Sequence, residues 1–214
     1  MLLVNTDTLS KKVSKLDRNS YPLIGDCASI TLIENSNDGN KIHYCVYMDG
    51  TRRDALKIPA GGSRLACSPE TGLMNNDGSG NIRSLDNFFM NGNEVFQFIM
   101  SDIPPLIENT LNYANLSHNC IDWYLFHQPN KFILQKLSQK LEINNEKLFM
   151  NIVEKYGNTS GSSIPLTITD NLNNLLIDNT YKCCICAFGG GLSYGAMIMD
   201  LGNLEFCETH ISTY

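Results

Sequence analysis

No stretch of this chain stays apolar for the roughly 18 residues that a membrane-crossing helix requires. Its first residues, Met1-Leu2-Leu3-Val4-Asn5-Thr6-Asp7, have no basic start, long apolar stretch or cleavage site of a secretory signal. Positive charge is scarce and scattered, with 16 Lys and Arg against 22 Asp and Glu and a net charge of -6. Nucleic-acid phosphates demand clustered cations, so the pattern argues against nucleic acid as a partner. It leaves open the docking of an acidic protein on a local basic patch. Cysteine is not scarce, but its placement excludes much. Cys27, Cys45 and Cys67 are isolated, and a chain of 214 residues that is 43% hydrophobic needs no disulfide scaffold. Cys183, Cys184 and Cys186 lie in one apolar run that reads as a strand. Successive strand side chains point to opposite faces, so three sulfurs there do not converge on one metal. The expectation is core cysteines, no metal, no membrane and a cytoplasmic soluble protein.

The length and apolar content suffice for one core, or one and a half. Met1 to Asp7 predicts a short buried strand already inside a sheet, and Ser10 to Tyr21 a short helix or surface loop. Cys27 to Ile33 and Ile42 to Tyr47 read as two strands joined by a turn at Asn35 to Asn40. Asp49 to Asn87 carries little periodicity, which usually marks a functional or mobile stretch. Within it, Gly78-Ser79-Gly80 superficially resembles a phosphate loop, but no Lys-Ser/Thr follows and no strand precedes it, so it reads as a plain turn.

Asn93 to Ala114 has helical spacing through Val95, Phe96, Ile99, Ile103, Leu106, Ile107 and Leu111. Pro104-Pro105 is expected to kink or split that helix, since an interior proline costs about 3 kcal/mol. Further elements are a strand at Ile121 to Phe126 and a helix at Asn130 to Leu141 with Phe132, Ile133, Leu137 and Leu141 on one side. A strand at Leu148 to Val153 and a helix at Thr159 to Leu176 follow. Strands at Tyr181 to Phe188 and Tyr194 to Leu201 flank a triple glycine, with Leu204 to Thr209 as a further strand. Alternation of helix and strand predicts an α/β class with helices on a mixed sheet.

His127 stands at the carboxyl end of a predicted strand, where the ligand and catalytic groups of open α/β sheets gather. Alone, such a histidine is either catalytic or a hydrogen-bonded structural residue. Gln128, Pro129 and Asn130 follow it; proline suits a helix's first turn, and the polar side chains can turn toward a ligand. Asn158 follows a strand and a glycine, and reads either as a helix cap or as a site residue.

Together these segments resemble the C-terminal part of the β-ketoacyl-acyl-carrier-protein synthase III family, within the thiolase fold. The resemblance rests on His127-Gln128-x-Asn130, Tyr156-Gly157-Asn158-Thr159-Ser160 with Ser163-Ile164-Pro165, and Ala187-Phe188-Gly189-Gly190-Gly191 with Gly195. Gly92-Asn93-Glu94-Val95-Phe96, Ile58-Pro59-Ala60-Gly61-Gly62-Ser63-Arg64 and Gly25-Asp26 add to it, so it runs to about Leu201. It implies a complete C-terminal thiolase-like half (residues 35–214) and the last strands of an N-terminal half (residues 1–34). The implied reaction is a decarboxylating Claisen condensation of fatty acid biosynthesis, between an acyl-coenzyme A and malonyl on acyl carrier protein. The substrates carry the thioesters and no further cofactor is implied.

By resemblance, His127 and Asn158 donate hydrogen bonds to the thioester oxygen as negative charge develops on it. Gly190 offers a backbone amide to a second oxyanion, and Phe188 packs beside the acyl pocket. Asn130 and Gly92 match positions along the pantetheine arm, and Lys11 falls near the nucleotide end. The family's nucleophilic cysteine precedes the segment that Met1 to Val4 resembles, and none of the eight cysteines shows the setting that activates a thiolate. Phe132 stands where the family usually has a basic residue for the carrier protein, with Lys131 and Lys136 nearby. The expectation is a truncated product or the second half of a split enzyme, inactive alone. The alternatives are a non-catalytic thiolase-fold partner or carrier-binding module, and a related ketosynthase of secondary metabolism. The resemblance also implies a homodimer, and an open sheet edge implies association with a copy or a complementing N-terminal half.

Overall fold

The computed structural model describes residues 1–35 and 39–212, so part of the expected Asn35 to Asn40 turn lies outside the described residues. Two sheets organise the chain. In the smaller, β1 (Leu2–Asp7) pairs antiparallel with β2 (Cys27–Leu32), Leu2 facing Leu32 and Asp7 facing Cys27. The larger begins with β3 (His43–Met48). A 3-10 turn at Gly50–Ala55 and a long irregular stretch follow. Two-residue ladders pin that stretch: β4 (Leu56–Lys57) pairs with β7 (Phe89–Met90), and β5 (Asn75–Asn76) with β6 (Ile82–Arg83). Gly78-Ser79-Gly80 is the turn between β5 and β6, as expected, and both glycines have positive φ.

Helix α1 (Gly92–Ala114) opens on Asn91, whose side chain accepts the Glu94 N–H and donates to the Glu94 carboxylate, and closes on Asn115 in the left-handed conformation. Its apolar stripe buries Phe98, Ile99, Ile103, Leu106, Ile107 and Leu111. After it come β8 (Trp123–Phe126), α2 (Lys131–Lys140), α3 (Ile152–Tyr156), α4 (Ser163–Asn171), α5 (Asn173–Asp178), β9 (Thr180–Gly189) and β10 (Ser193–Gly202). The large sheet has the order β3-β10-β9-β8; β8 runs parallel to β9 and the other neighbours are antiparallel.

Strand alternation sorts side chains to two cores. Tyr124, Phe126, Cys184 and Cys186 face the layer of α1 and α2, whereas Leu125 and Cys183 face Leu172 and Leu176 on the α4–α5 side. The cysteine run is therefore core packing split between two faces, and burial pushes all three thiols up. Among the described residues, no helix is long and apolar enough to cross a membrane.

Several local expectations need correction. The Cys27 and His43 strands do not form a hairpin; β2 pairs with β1, and β3 with β10. Strand β1 exists but is not buried, because its two-stranded sheet lacks a covering layer: Leu2 is 63% and Val4 57% exposed. Leu148 makes a single parallel bridge to Tyr124 at the sheet edge, and the chain then turns into helix α3 where a strand was expected. The helix expected over Thr159 to Leu176 is instead a 3-10 turn at Ser160–Ser162 followed by α4 and α5, separated at Leu172. No strand forms at Leu204 to Thr209, where Leu204 instead donates its N–H to the Leu176 carbonyl and Cys207 enters the core. On α2, Leu134 takes the buried position and Phe132 is 56% exposed, stacked on Phe96.

Helix α1 is not split by Pro104-Pro105. A proline has no N–H for the carbonyl four residues back, which for Pro104 is that of Met100. The Lys140 ammonium donates to this carbonyl at 2.8 Å, supplying the missing donor from α2.

Candidate active site

A cavity of about 630 Å³ opens between the two sheets and α1. Its apolar wall includes Ile24, Leu56, Met90, Phe98, Ile99 and Leu192. Its polar side chains include His127 and Asn130 after β8 and Asn158, Ser160 and Ser163 after α3, with Asp7, Ser20, Lys57 and Ser193 elsewhere on the wall. His127, Asn130, Asn158, Phe188 and Gly190 all border it, so five expected site residues line one cavity. Gly92, exposed at the first position of α1, and Lys11, exposed in a 3-10 turn, are outside that lining.

His127 continues the β8 ladder by donating its N–H to the Cys186 carbonyl at 2.8 Å. Its ring meets Phe188 edge-on at 5.4 Å and 81°, and its Nδ1 lies 2.7 Å from the Ser163 hydroxyl. Burial pushes its pKa down to about 4, with the Ser160 carbonyl acting weakly the other way. Removing an imidazolium from water is costly, so the ring is neutral near pH 7 and carries a single N–H.

Asn158 is set by a crossing of two backbones. Its N–H donates to the Leu23 carbonyl at 2.6 Å, and its carbonyl accepts the Gly25 N–H at 3.0 Å. Only glycine fits at the crossing. A Cβ on Gly25 would meet the Tyr156 oxygen at 1.8 Å, and Gly157 has φ +75° with three backbone atoms near 3.0 Å from any Cβ. The Asn158 Oδ1 accepts the Ser160 N–H at 2.9 Å, which leaves the Nδ2 donors without a partner among the described residues. The residue therefore ties its own loop through Oδ1 and, among the described residues, keeps two N–H groups free.

The neighbours of His127 divide. Asn130 caps α2, its Oδ1 accepting the Ile133 N–H at 2.8 Å. Pro129 precedes that cap and does not enter the first turn. Gln128 turns away from the cavity, buried and donating to the Phe126 and Phe149 carbonyls. Its amide holds the loop, not a ligand. The Ser163 contact with His127 had no signal in the sequence beyond a shared motif, because it spans 36 residues.

At Gly190 the carbonyl accepts the Ser193 hydroxyl at 2.8 Å, tying the turn between β9 and β10. The cavity lining, among the described residues, contains no cysteine. The exposed Cys120 thiol is held below its usual range by hydrogen bonding with Ser117, with smaller help from Lys182 and Lys147. Cys120 is not in the lining. Cys27 is half-buried, and burial raises its pKa.

Residues 111–201 match the family model described as 3-oxoacyl-[acyl-carrier-protein (ACP)] synthase III C terminal. The chain is 34% identical over 199 residues to a β-ketoacyl-[acyl-carrier-protein] synthase III of Clostridioides difficile, covering 93% of this chain and 58% of that one. To the enzyme of the same name from Prochlorococcus marinus strain MIT 9215 it is 35% identical over 208 residues, covering 94% and 58%. The crystal structure of a 3-oxoacyl-(acyl-carrier protein) synthase from Burkholderia xenovorans superposes with a TM-score of 0.87 at 33% identity, covering 97% of this chain and 58% of that one. The fold is thus thiolase-like, and the chain spans well under two thirds of the relatives it matches.

Proposed function

We propose that the chain is a member of the β-ketoacyl-[acyl-carrier-protein] synthase III family and supplies the oxyanion site of a decarboxylating Claisen condensation in fatty acid biosynthesis. The observation that supports this reading is that His127 and Asn158, from separate loops, line one largely apolar cavity. A neutral imidazole and a carboxamide with free N–H groups form a pair of donors for a thioester oxygen. As malonyl loses carbon dioxide, the C–C bond electrons become an enolate whose oxygen gathers the charge. Preorganised donors stabilise such a charge by about 3 to 4 kcal/mol each. The enolate carbon then attacks an acyl thioester and expels its thiolate. Phe188, edge-on to His127, restricts the ring and borders the acyl group.

The acyl primer needs a thiol, and the cavity lining offers none among the described residues. We assign that role to a complementing polypeptide corresponding to the relatives' N-terminal portion. Acyl-coenzyme A and acyl carrier protein are the partners in this reading, with Lys131 and Lys136 on α2 as carrier contacts. The test combines the chain with such a cysteine-bearing polypeptide and follows decarboxylation of malonyl-acyl carrier protein. His127→Ala and Asn158→Ala should each slow it by about 100- to 1,000-fold. Variants as fast as the parent would overturn the assignment.

The same lining favours a second reading, in which this chain alone binds carrier or a partner without turnover. Mass spectrometry after exposure to acetyl-coenzyme A separates the two readings from a self-sufficient enzyme. No acyl adduct is expected on this chain alone.

A further inference from the structure

His127 has two ring nitrogens, and only a proton on Nε2 lets the ring donate away from Ser163 into the cavity. We propose that Ser163 is a positioning residue that sets this tautomer, its hydroxyl donating to Nδ1 and so directing the ring proton to Nε2. This deepens the oxyanion assignment and rests on it.

The argument is one of satisfied hydrogen bonds. Ser163 is fully buried at the first position of α4, at 1% exposure, and a serine hydroxyl has one proton to give. Its oxygen already accepts the Gln128 N–H at 3.4 Å. Nδ1 of His127, at 2.7 Å, is the one acceptor that this hydroxyl reaches among the described residues. Were Nδ1 protonated instead, the oxygen would receive two donors and its own proton would be left buried without a partner. Such a loss is costly inside a protein. The donated bond also requires Nδ1 to keep its lone pair, which matches the neutral ring.

The helix position supports the assignment. Thr167 donates its hydroxyl to the Ser163 carbonyl at 2.7 Å, so the first turn of α4 is held by a side chain as well as by its backbone. On the other side, Ser162 donates to the carbonyls of Asn5 in β1 and Cys27 in β2. Adjacent serines therefore split their work, one anchoring the small sheet and one facing the imidazole.

The test is a long-range proton–nitrogen correlation spectrum of the 15N-labelled chain at neutral pH, without substrate or partner. The four histidines are few enough to resolve, and His127→Gln assigns the relevant signals. The proposal expects an Nε2-protonated His127 whose Nδ1 has the shift of a hydrogen-bonded acceptor. In Ser163→Ala the Nδ1 signal should lose that shift and the ring should become a mixture of tautomers; Ser163→Thr should restore the parent pattern. A parent spectrum with the proton on Nδ1 overturns the proposal, as does a Ser163→Ala spectrum identical to the parent's. Should the alanine variant not fold, the parent spectrum and the threonine variant still decide, since loss of the pattern in Ser163→Thr counts against the proposal. Because no turnover is measured, a failed condensation assay leaves this result intact, and the reverse also holds.

Discussion

The β3-β10-β9-β8 sheet and the β1–β2 sheet are made from similar apolar residues but live in different surroundings. Leu125, Phe126, Cys183 and Cys184 are fully buried between two layers of helices, while Leu2, Val4 and Ile30 face outward at 63%, 57% and 66% exposure. The difference is not in the strands. Helices α1 and α2 cover one face of the large sheet, and α4 and α5 cover part of the other. The small sheet is held mainly along the Ser160–Ser162 turn, where Ser162 reaches its carbonyls. The outer strand β3 shares this condition, with Tyr44, Val46 and Met48 exposed. Apolar surface of this extent is typical of a face that another chain or segment covers.

The sharpest way to break this comparison is to truncate a side chain on each side of it. Ile107→Ala, in the covered core, should destabilise the fold by about 2 to 5 kcal/mol, through lost burial and a residual cavity. Chemical denaturation measures it. At the other extreme, Val4→Ser should change stability by less than about 0.5 kcal/mol, since that side chain is already in water. If the two effects were similar, the small sheet would have to be covered in solution.

Between these limits lies acid sensitivity. The folded-state pKa of His127 is lowered from the ordinary 6.5 to about 4. Between those values the unfolded chain binds more protons, so the contribution is complete above pH 6.5 and is lost as pH falls toward 4. Its size is about 3 kcal/mol by linkage. In His127→Gln the stability–pH curve should flatten across that window, as followed by denaturant midpoints at successive pH values.

Gly25→Ala probes the joint between the two regions. The added Cβ cannot coexist with the Tyr156 carbonyl, so the crossing that positions Asn158 must open. A loss of about 1 to 3 kcal/mol is expected, together with faster amide exchange at Asn158. Unchanged exchange there would show that the crossing does not hold the site. Lys140→Met should have the smallest effect on the covered side, about 1 kcal/mol, by removing the donor for the carbonyl that Pro104 orphans.

The stripe of α1 was legible because its apolar residues recur with the helical period and all face one core. Strands β8, β9 and β10 were legible for a different reason, being short, largely apolar runs bounded by polar or glycine-rich turns. The motifs placed His127 and Asn158 at loop starts, and both border the cavity. Local pattern did less well where another element decided the outcome. Leu148 to Val153 has strand-like composition, yet one bridge to Tyr124 is all the edge of the sheet accepts before the chain coils into α3. Phe132 looked like core and is displaced by Leu134, because the orientation of α2 against α1 depends on the partner helix. Gln128 sits beside the catalytic candidates in sequence, and carbonyls of two other segments draw it inward.

By itself, the sequence determined the long helix α1, the strands β8, β9 and β10, and which loops carry the imidazole and the carboxamide. Those are short-range matters of period, capping and glycine. Only the tertiary structure decided which strands pair, which apolar faces are covered, and that Ser163 lies against His127. Each of these joins residues tens of positions apart, and the packing of whole elements, not the preference of any local stretch, selects such contacts.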